Sequence, residues 1–276
     1  MINTFSRSYH LVKQSYAILK KDKELLWFPI ISGILTTLLF LSFIIPLFLT
    51  STSFTPSYYA ILFLYYLISY FIIIFFNTGL IAAANIRLNG GDPTFMDGFN
   101  EAKKHVVHIL GWSILAATVG LILRIIIDKL EERSELLGAI LVSFLGAAWS
   151  ILTFFVIPVM VFENKNVFAA IKSSGQLMKK TWGESLMSAG GLGFFFFLLG
   201  LIGVIPIILA ILFHSPIAIM ITIAIAVLYW IVLGIFSSSL NGILIASLYQ
   251  FATTGKVTEG FDDQEIKSAF TTKNRS

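Results

Sequence analysis

Six uninterrupted apolar runs, at about 25–49, 58–86, 107–127, 136–162, 185–213 and 217–249, constrain this chain more than any other feature. Each exceeds about 18 residues, the length at which an apolar run reads as a helix crossing a bilayer. The runs are continuous rather than alternating, so the predicted class is all-α, a polytopic bundle of six transmembrane helices, and a β-barrel is excluded. Composition agrees: 57% of residues are hydrophobic and only 12% charged, against about 25% charged in a globular domain. The first run follows a charged lead and lacks a small-residue cleavage pattern, so it is expected to be a retained span and not a signal peptide. With no cysteine in the chain, disulfides, thiolate metal sites and cysteine nucleophiles are excluded.

Short basic segments stand before each pair of runs. Over residues 4–23, Phe5, Tyr9, Val12, Tyr16 and Leu19 recur at helical spacing with Lys13 and Lys20 off the stripe. A second segment carries Phe95, Phe99, Ala102 and Val106 beside Lys103 and Lys104, with Asp92-Pro93 expected to start its helix. The third carries Phe168, Ile171, Gly175, Met178 and Trp182 beside Lys172 and Lys179. Basic amphipathic helices next to spans are expected to lie at the membrane surface, where Lys13, Lys20, Lys103, Lys172 and Lys179 are candidate lipid-headgroup contacts. Sixteen Lys and Arg fall on that side of the predicted topology and two, Lys129 and Arg133, on the other. The positive-inside rule then predicts both termini in the cytoplasm and a multi-pass protein of the inner (cytoplasmic) membrane. The domain plan is a single transmembrane domain over 1–250 and a polar cytoplasmic tail, expected to be loosely ordered, over 251–276.

The pairs Lys20-Lys21, Lys103-Lys104 and Lys179-Lys180 recur at similar intervals. They suggest a unit of surface helix plus transmembrane hairpin used three times, in parallel orientation. The segment Thr153-Phe-Phe-Val-Ile-Pro158-Val159, then Glu163, Ala170-Ile-Lys172-Ser173-Ser174 and Lys180-Thr-Trp182-Gly183, resembles a bacterial six-span membrane family of unknown function. Lys21-Asp22-Lys23-Glu24, Phe76-Asn77-Thr78, Gly90-Gly91-Asp92-Pro93 and Gly146-Ala-Ala-Trp149 extend that resemblance over nearly the whole chain. More distantly, the chain is similar to the membrane domain joined to some glycerophosphodiester phosphodiesterases. The resemblance implies the topology and brings no catalytic residues with it.

Polar residues inside spans are the first place to look for function. Asn77 and Asn241 stand about ten residues before the cytoplasmic ends of the second and sixth runs, which predicts a depth of roughly 15 Å, near the midplane. They are candidates for lining one polar cavity; interhelical hydrogen bonding is the plainer role. Glu101, His105 and His108 share a helical face and form a weak candidate metal set. Arg124 is expected to snorkel or to meet Asp128, and Glu163 to be neutralised by Lys165 or by a neighbouring surface helix. Small residues at four-residue spacing are expected to let helices touch: Ala139, Ser143 and Ala147; Ala116 and Gly120; Ser238, Gly242 and Ala246. Gly190, Gly191, Gly193 and Pro206 suggest a bend in the fifth run. No phosphate-cradling glycine loop, HExxH motif or Ser/His/Asp arrangement occurs, which points away from an enzyme and implies no cofactor. The expected activity is interaction with anionic membrane lipids, with a membrane-protein partner or with a second copy, and not with nucleic acid. The alternative is a small transporter or channel working through Asn77 and Asn241.

Overall fold

The computed structural model describes residues 2–49, 56–131, 135–182, 191–212 and 216–262. They form helices in the order α1 (Ile2–Lys21), α2 (Trp27–Leu49), α3 (Pro56–Leu88), α4 (Phe95–Lys104), α5 (Val106–Glu131), α6 (Glu135–Thr153), α7 (Val156–Phe162), α8 (Val167–Trp182), α9 (Gly191–Ile202), α10 (Ile205–Leu212) and α11 (Pro216–Thr254). A 3-10 turn, Lys23–Leu26, joins α1 to α2. Among the described residues, six helical stretches are long and apolar enough to cross a membrane: Lys23–Ile44, Ala60–Leu88, Val106–Leu123, Ser143–Phe162, Phe195–Leu212 and Pro216–Thr254. The protein is an all-α, multi-pass membrane protein. Pro56 and Pro216 open α3 and α11 at the first helical position, where a missing N–H leaves no bond unmade. Helix α3 ends where Gly90, at φ +84, turns the chain and the Gly91 N–H reaches the Ile86 carbonyl at 3.0 Å.

Two predicted spans are broken, and each break is repaired by a neighbour. The fourth divides at Phe154–Phe155, just before Pro158, whose ring cannot donate to the carbonyl one turn back. The freed Phe155 N–H donates to the hydroxyl of Ser174 on α8 at 2.9 Å, with both residues buried. The fifth divides at Gly203–Val204, two residues before Pro206. Tyr229 Oη–H donates to the Leu199 carbonyl at 2.6 Å and Trp230 Nε1–H to Gly200 at 3.0 Å, so α11 covers the acceptors that the break exposes. A side chain at Gly203 would meet the Tyr229 and Trp230 rings within 3 Å, which ties the break to α11.

The buried core gathers at one end, where α1, the start of α2, the end of α3, α4, α7, α8 and the end of α11 meet. This is the basic end of the molecule. Three expectations change there. Thr94, not Asp92, caps α4: the Thr94 side chain accepts from the Asp97 N–H, and Asp97 Oδ2 accepts from the Thr94 N–H at 2.8 Å. The start of the tail is ordered, with Phe261 buried and Thr258 bonded to Ser247 at 2.7 Å. The small-residue face of α6 is unpacked, since Ser143 and Ala147 are exposed, whereas Gly242 and Ala246 of α11 are buried. Residues 50–55, 185–190 with Gly190, 213–215, Arg133 and the tail from 263 lie outside the described residues, as do the side chains of Arg124, Asp128, Ala139 and Trp182.

Candidate functional site

Polar side chains at the basic end join segments far apart in sequence. Asp22, buried between α1 and α2, meets Arg87 Nε at 2.8 Å, and Arg87 also donates to the Gly91 carbonyl at 2.9 Å. Burial pushes the Asp22 carboxyl above its ordinary range, and the Arg87 guanidinium draws part of that shift back. Glu24 accepts from the Phe95 N–H, fixing the 3-10 turn before α2 to the start of α4. Gln250 donates to Asn85, joining α11 to α3. Glu163 accepts from Tyr249 Oη–H at 2.8 Å and is paired with Lys165 at 2.6 Å, as its position in the sequence leads one to expect. The Asp22–Arg87 and Asn85–Gln250 links escape a sequence reading. Arg87 reads there as one more interfacial base, and its distance from Asp22 along the chain hides the pair.

In α1 and α8 the residues buried against the bundle are mostly not the aromatic ones. In α1, Ser15, Ile18 and Leu19 are buried while Tyr9 and Tyr16 are each 49% exposed. In α8, Ala170, Ser174 and Met178 are buried while Phe168 is 75% exposed. In α4, Gly98 and Ala102 are buried. Small residues such as Gly98, Ala170 and Ser174 let these helices approach the bundle closely, beside the larger Ile18, Leu19 and Met178. Gly98 lies so near Gly79 of α3 that a Cβ there would be 2.4 Å from the Gly79 carbonyl oxygen. Tyr9, Tyr16 and Phe168 stay largely exposed, whereas Phe95 and Phe99 of α4 pack on Phe28 and Phe75 of the bundle. Lys13, Lys20, Lys103, Lys172 and Lys179 are all exposed, and none has an acidic partner among the described residues. Tyr9 precedes Lys13, Tyr16 precedes Lys20 and Phe168 precedes Lys172 by one helical turn, so exposed aromatic and exposed base share a face.

Asn77 and Asn241 line one cavity of about 800 Å³ between α2, α3 and α11. Neither carboxamide has a hydrogen-bond partner among the described residues, so they do not tie helices together. Helix α4 runs back along α3, with Gly98 against Gly79 and the Phe99 ring 5.3 Å from the Phe75 ring, and Asn77 lies between these two contacts. Asn77 is therefore level with α4, whose Lys103 and Lys104 are exposed. A second, polar cavity of about 600 Å³ opens at the basic end beside Asn85, Asn89, Gln250, Lys256 and Glu259.

Glu101, His105 and His108 do not assemble as metal ligands. Glu101 gives one oxygen to Lys104 at 2.7 Å and the other to His105 at 3.2 Å. The hydrogen bond from Lys104 holds the Glu101 carboxyl below its usual range. The His105 and His108 rings stand 6.1 Å apart, and no group of three potential ligands occurs among the described residues. His105 closes α4 as its C-cap, so its backbone serves the helix end.

Residues 56–261 match a family of unknown function (DUF6159), and the chain belongs to that family. No curated protein matches it.

Proposed function

We propose that this member of the family is a lipid-interacting module of the cytoplasmic membrane, with its basic end and both termini on the cytoplasmic side. The observation that carries this reading is the outward pairing of aromatic and lysine on α1 and α8. An aromatic ring favours the membrane interface, and a lysine one turn away reaches anionic headgroups, each worth about 1 kcal/mol near the surface. The asymmetry of Lys and Arg between the two sides supports the orientation. The succession of surface helix and hairpin supports a unit used three times. The distant likeness to the membrane domain of some glycerophosphodiester phosphodiesterases suits a lipid-facing role and rests on sequence alone.

The test replaces Lys13, Lys20, Lys103, Lys172 and Lys179 by Gln together. Enrichment of fluorescent phosphatidylglycerol around the protein is then measured in nanodiscs of phosphatidylcholine and phosphatidylglycerol. Wild type enriches the anionic lipid, less so at high salt, and the variant loses the enrichment. Equal enrichment in both proteins ends the proposal. A small transporter or channel is the second reading, favoured by the shared cavity of Asn77 and Asn241. Cysteine introduced beside either asparagine then reacts with a membrane-impermeant thiol reagent.

A further inference from the structure

We infer that the cavity between α2, α3 and α11 binds one acyl chain of a bilayer lipid from the leaflet at the basic end. The carboxamides of Asn77 and Asn241 would donate to the lipid's ester carbonyls. The inference goes beyond headgroup attraction by the surface helices and uses none of their lysines. It rests on the same placement of the basic end at the membrane surface.

Four observations converge on this ligand. First, the cavity lining contains no charged residue, which excludes a charged headgroup within it. Second, its height fits a single leaflet. On α2 it runs from Phe28 to Leu38, about 15 Å of helix against a hydrocarbon core of roughly 30 Å. Third, the polar atoms still free to bind are at the lower part of the cavity. Thr36 and Thr37 each spend a hydroxyl on a carbonyl of their own helix at 2.7 Å, leaving methyl groups to face a chain. The two asparagine amides have no partner among the described residues and lie at the level of α4, the depth at which a lipid carries its esters. An amide left dry and unpaired is unfavourable, so a neutral acceptor at this level answers a need the protein itself does not meet. Fourth, the upper wall is open to the bilayer, with Ile34, Leu38, Trp230 and Ile231 all exposed. The volume falls within the range of about 300–1,000 Å³ typical of ligand cavities.

Two glycines make the inference testable without disturbing the fold. Gly33 and Gly234 both line the cavity, and a Cβ at either would meet nothing within 4 Å. Gly33→Leu with Gly234→Leu therefore fills the space. The full chain is placed in nanodiscs of phosphatidylethanolamine and phosphatidylglycerol, doped with a phosphatidylethanolamine carrying a diazirine on its acyl chain. After illumination, adducts are mapped by peptide mass spectrometry. Adducts are expected on the cavity faces of α2 and α11 at severalfold the density found on the exposed residues of 217–228, which lie outside the cavity. The filled variant loses the cavity adducts and keeps the others. Asn77→Leu with Asn241→Leu weakens lipid retention through delipidating washes by roughly tenfold, the effect expected of a lost hydrogen bond.

Cavity adducts no denser than those on 217–228, or unchanged by filling, overturn the inference. So does reaction of Ser238→Cys with a membrane-impermeant thiol reagent, since that reports water in place of a chain. The lysine-to-glutamine variant separates the two readings. It is expected to lose anionic-lipid enrichment while keeping the cavity adducts, so either reading can fail alone.

Discussion

The two halves of α11 are equally helical and similarly apolar, yet they live in different surroundings. From residue 239 to 249 every residue except Asn241 is buried, with Gly242 against Leu80 of α3. From 216 to 238 most side chains are exposed, Ile217, Met220 and Leu228 strongly so. In water such a half-helix would aggregate; in a bilayer lipid tails serve it as well as protein would. Hydropathy therefore marks what enters the membrane and says little about what touches protein. Protein contact follows from small residues and polar links, and those cluster at the basic end. One end of the molecule is a packed, hydrogen-bonded assembly; the other is a set of helices arranged for lipid.

The sharpest break of this contrast is at the buried ion pair. Arg87→Met strands the Asp22 carboxylate and is expected to lower stability by about 3 kcal/mol, measured by unfolding in mild detergent. Adding Asp22→Asn should restore more than half of that loss, because the stranded charge is removed.

Packing gives the next comparison. Gly98→Val forces α4 away from the Gly79 carbonyl and is expected to cost about 1–3 kcal/mol. Gly234→Val, whose Cβ meets nothing within 4 Å, should stay within about 0.5 kcal/mol of wild type. Equal losses at the two sites would erase the distinction between the packed and lipid-facing halves.

Ser174→Ala removes the hydroxyl that accepts from the buried Phe155 N–H, a loss of about 1–2 kcal/mol, and Ser174→Thr should recover part of it.

The smallest effect expected is on pH dependence. The Asp22 carboxyl is raised on folding, so its contribution is fully present below the ordinary aspartate value of 3.8 and is lost as pH rises through the higher folded value. Glu101 runs the other way: its carboxyl is lowered, and its contribution disappears as pH falls through the folded value. Asp22→Asn should remove the first slope from a stability-versus-pH curve and leave the second, weaker because Glu101 is partly exposed.

The amphipathic helices show where sequence reading reaches its limit. Helical periodicity correctly places α1, α4 and α8, since spacing and the absence of breakers are local properties. It places them at the membrane surface without saying which residues touch the bundle: Ser15, Gly98 and Ser174 are buried, while Tyr9, Tyr16 and Phe168 are exposed. A helix at an interface has two apolar environments available, protein and lipid, and a stripe of aromatics does not tell them apart.

What the sequence by itself determined is the class, the six apolar stretches and the basic segments between them, along with the pairing of Glu163 with Lys165. These follow from composition, from period, and from neighbours a few residues apart. Only the tertiary structure decided that Asp22 meets Arg87, that Ser174 repairs the break before Pro158, and that Asn77 and Asn241 share a cavity without bonding each other. Each of these depends on which helix faces lie together across tens or hundreds of residues. In a bilayer that choice is made by close packing and polar pairing, because hydrophobicity no longer distinguishes a protein neighbour from a lipid.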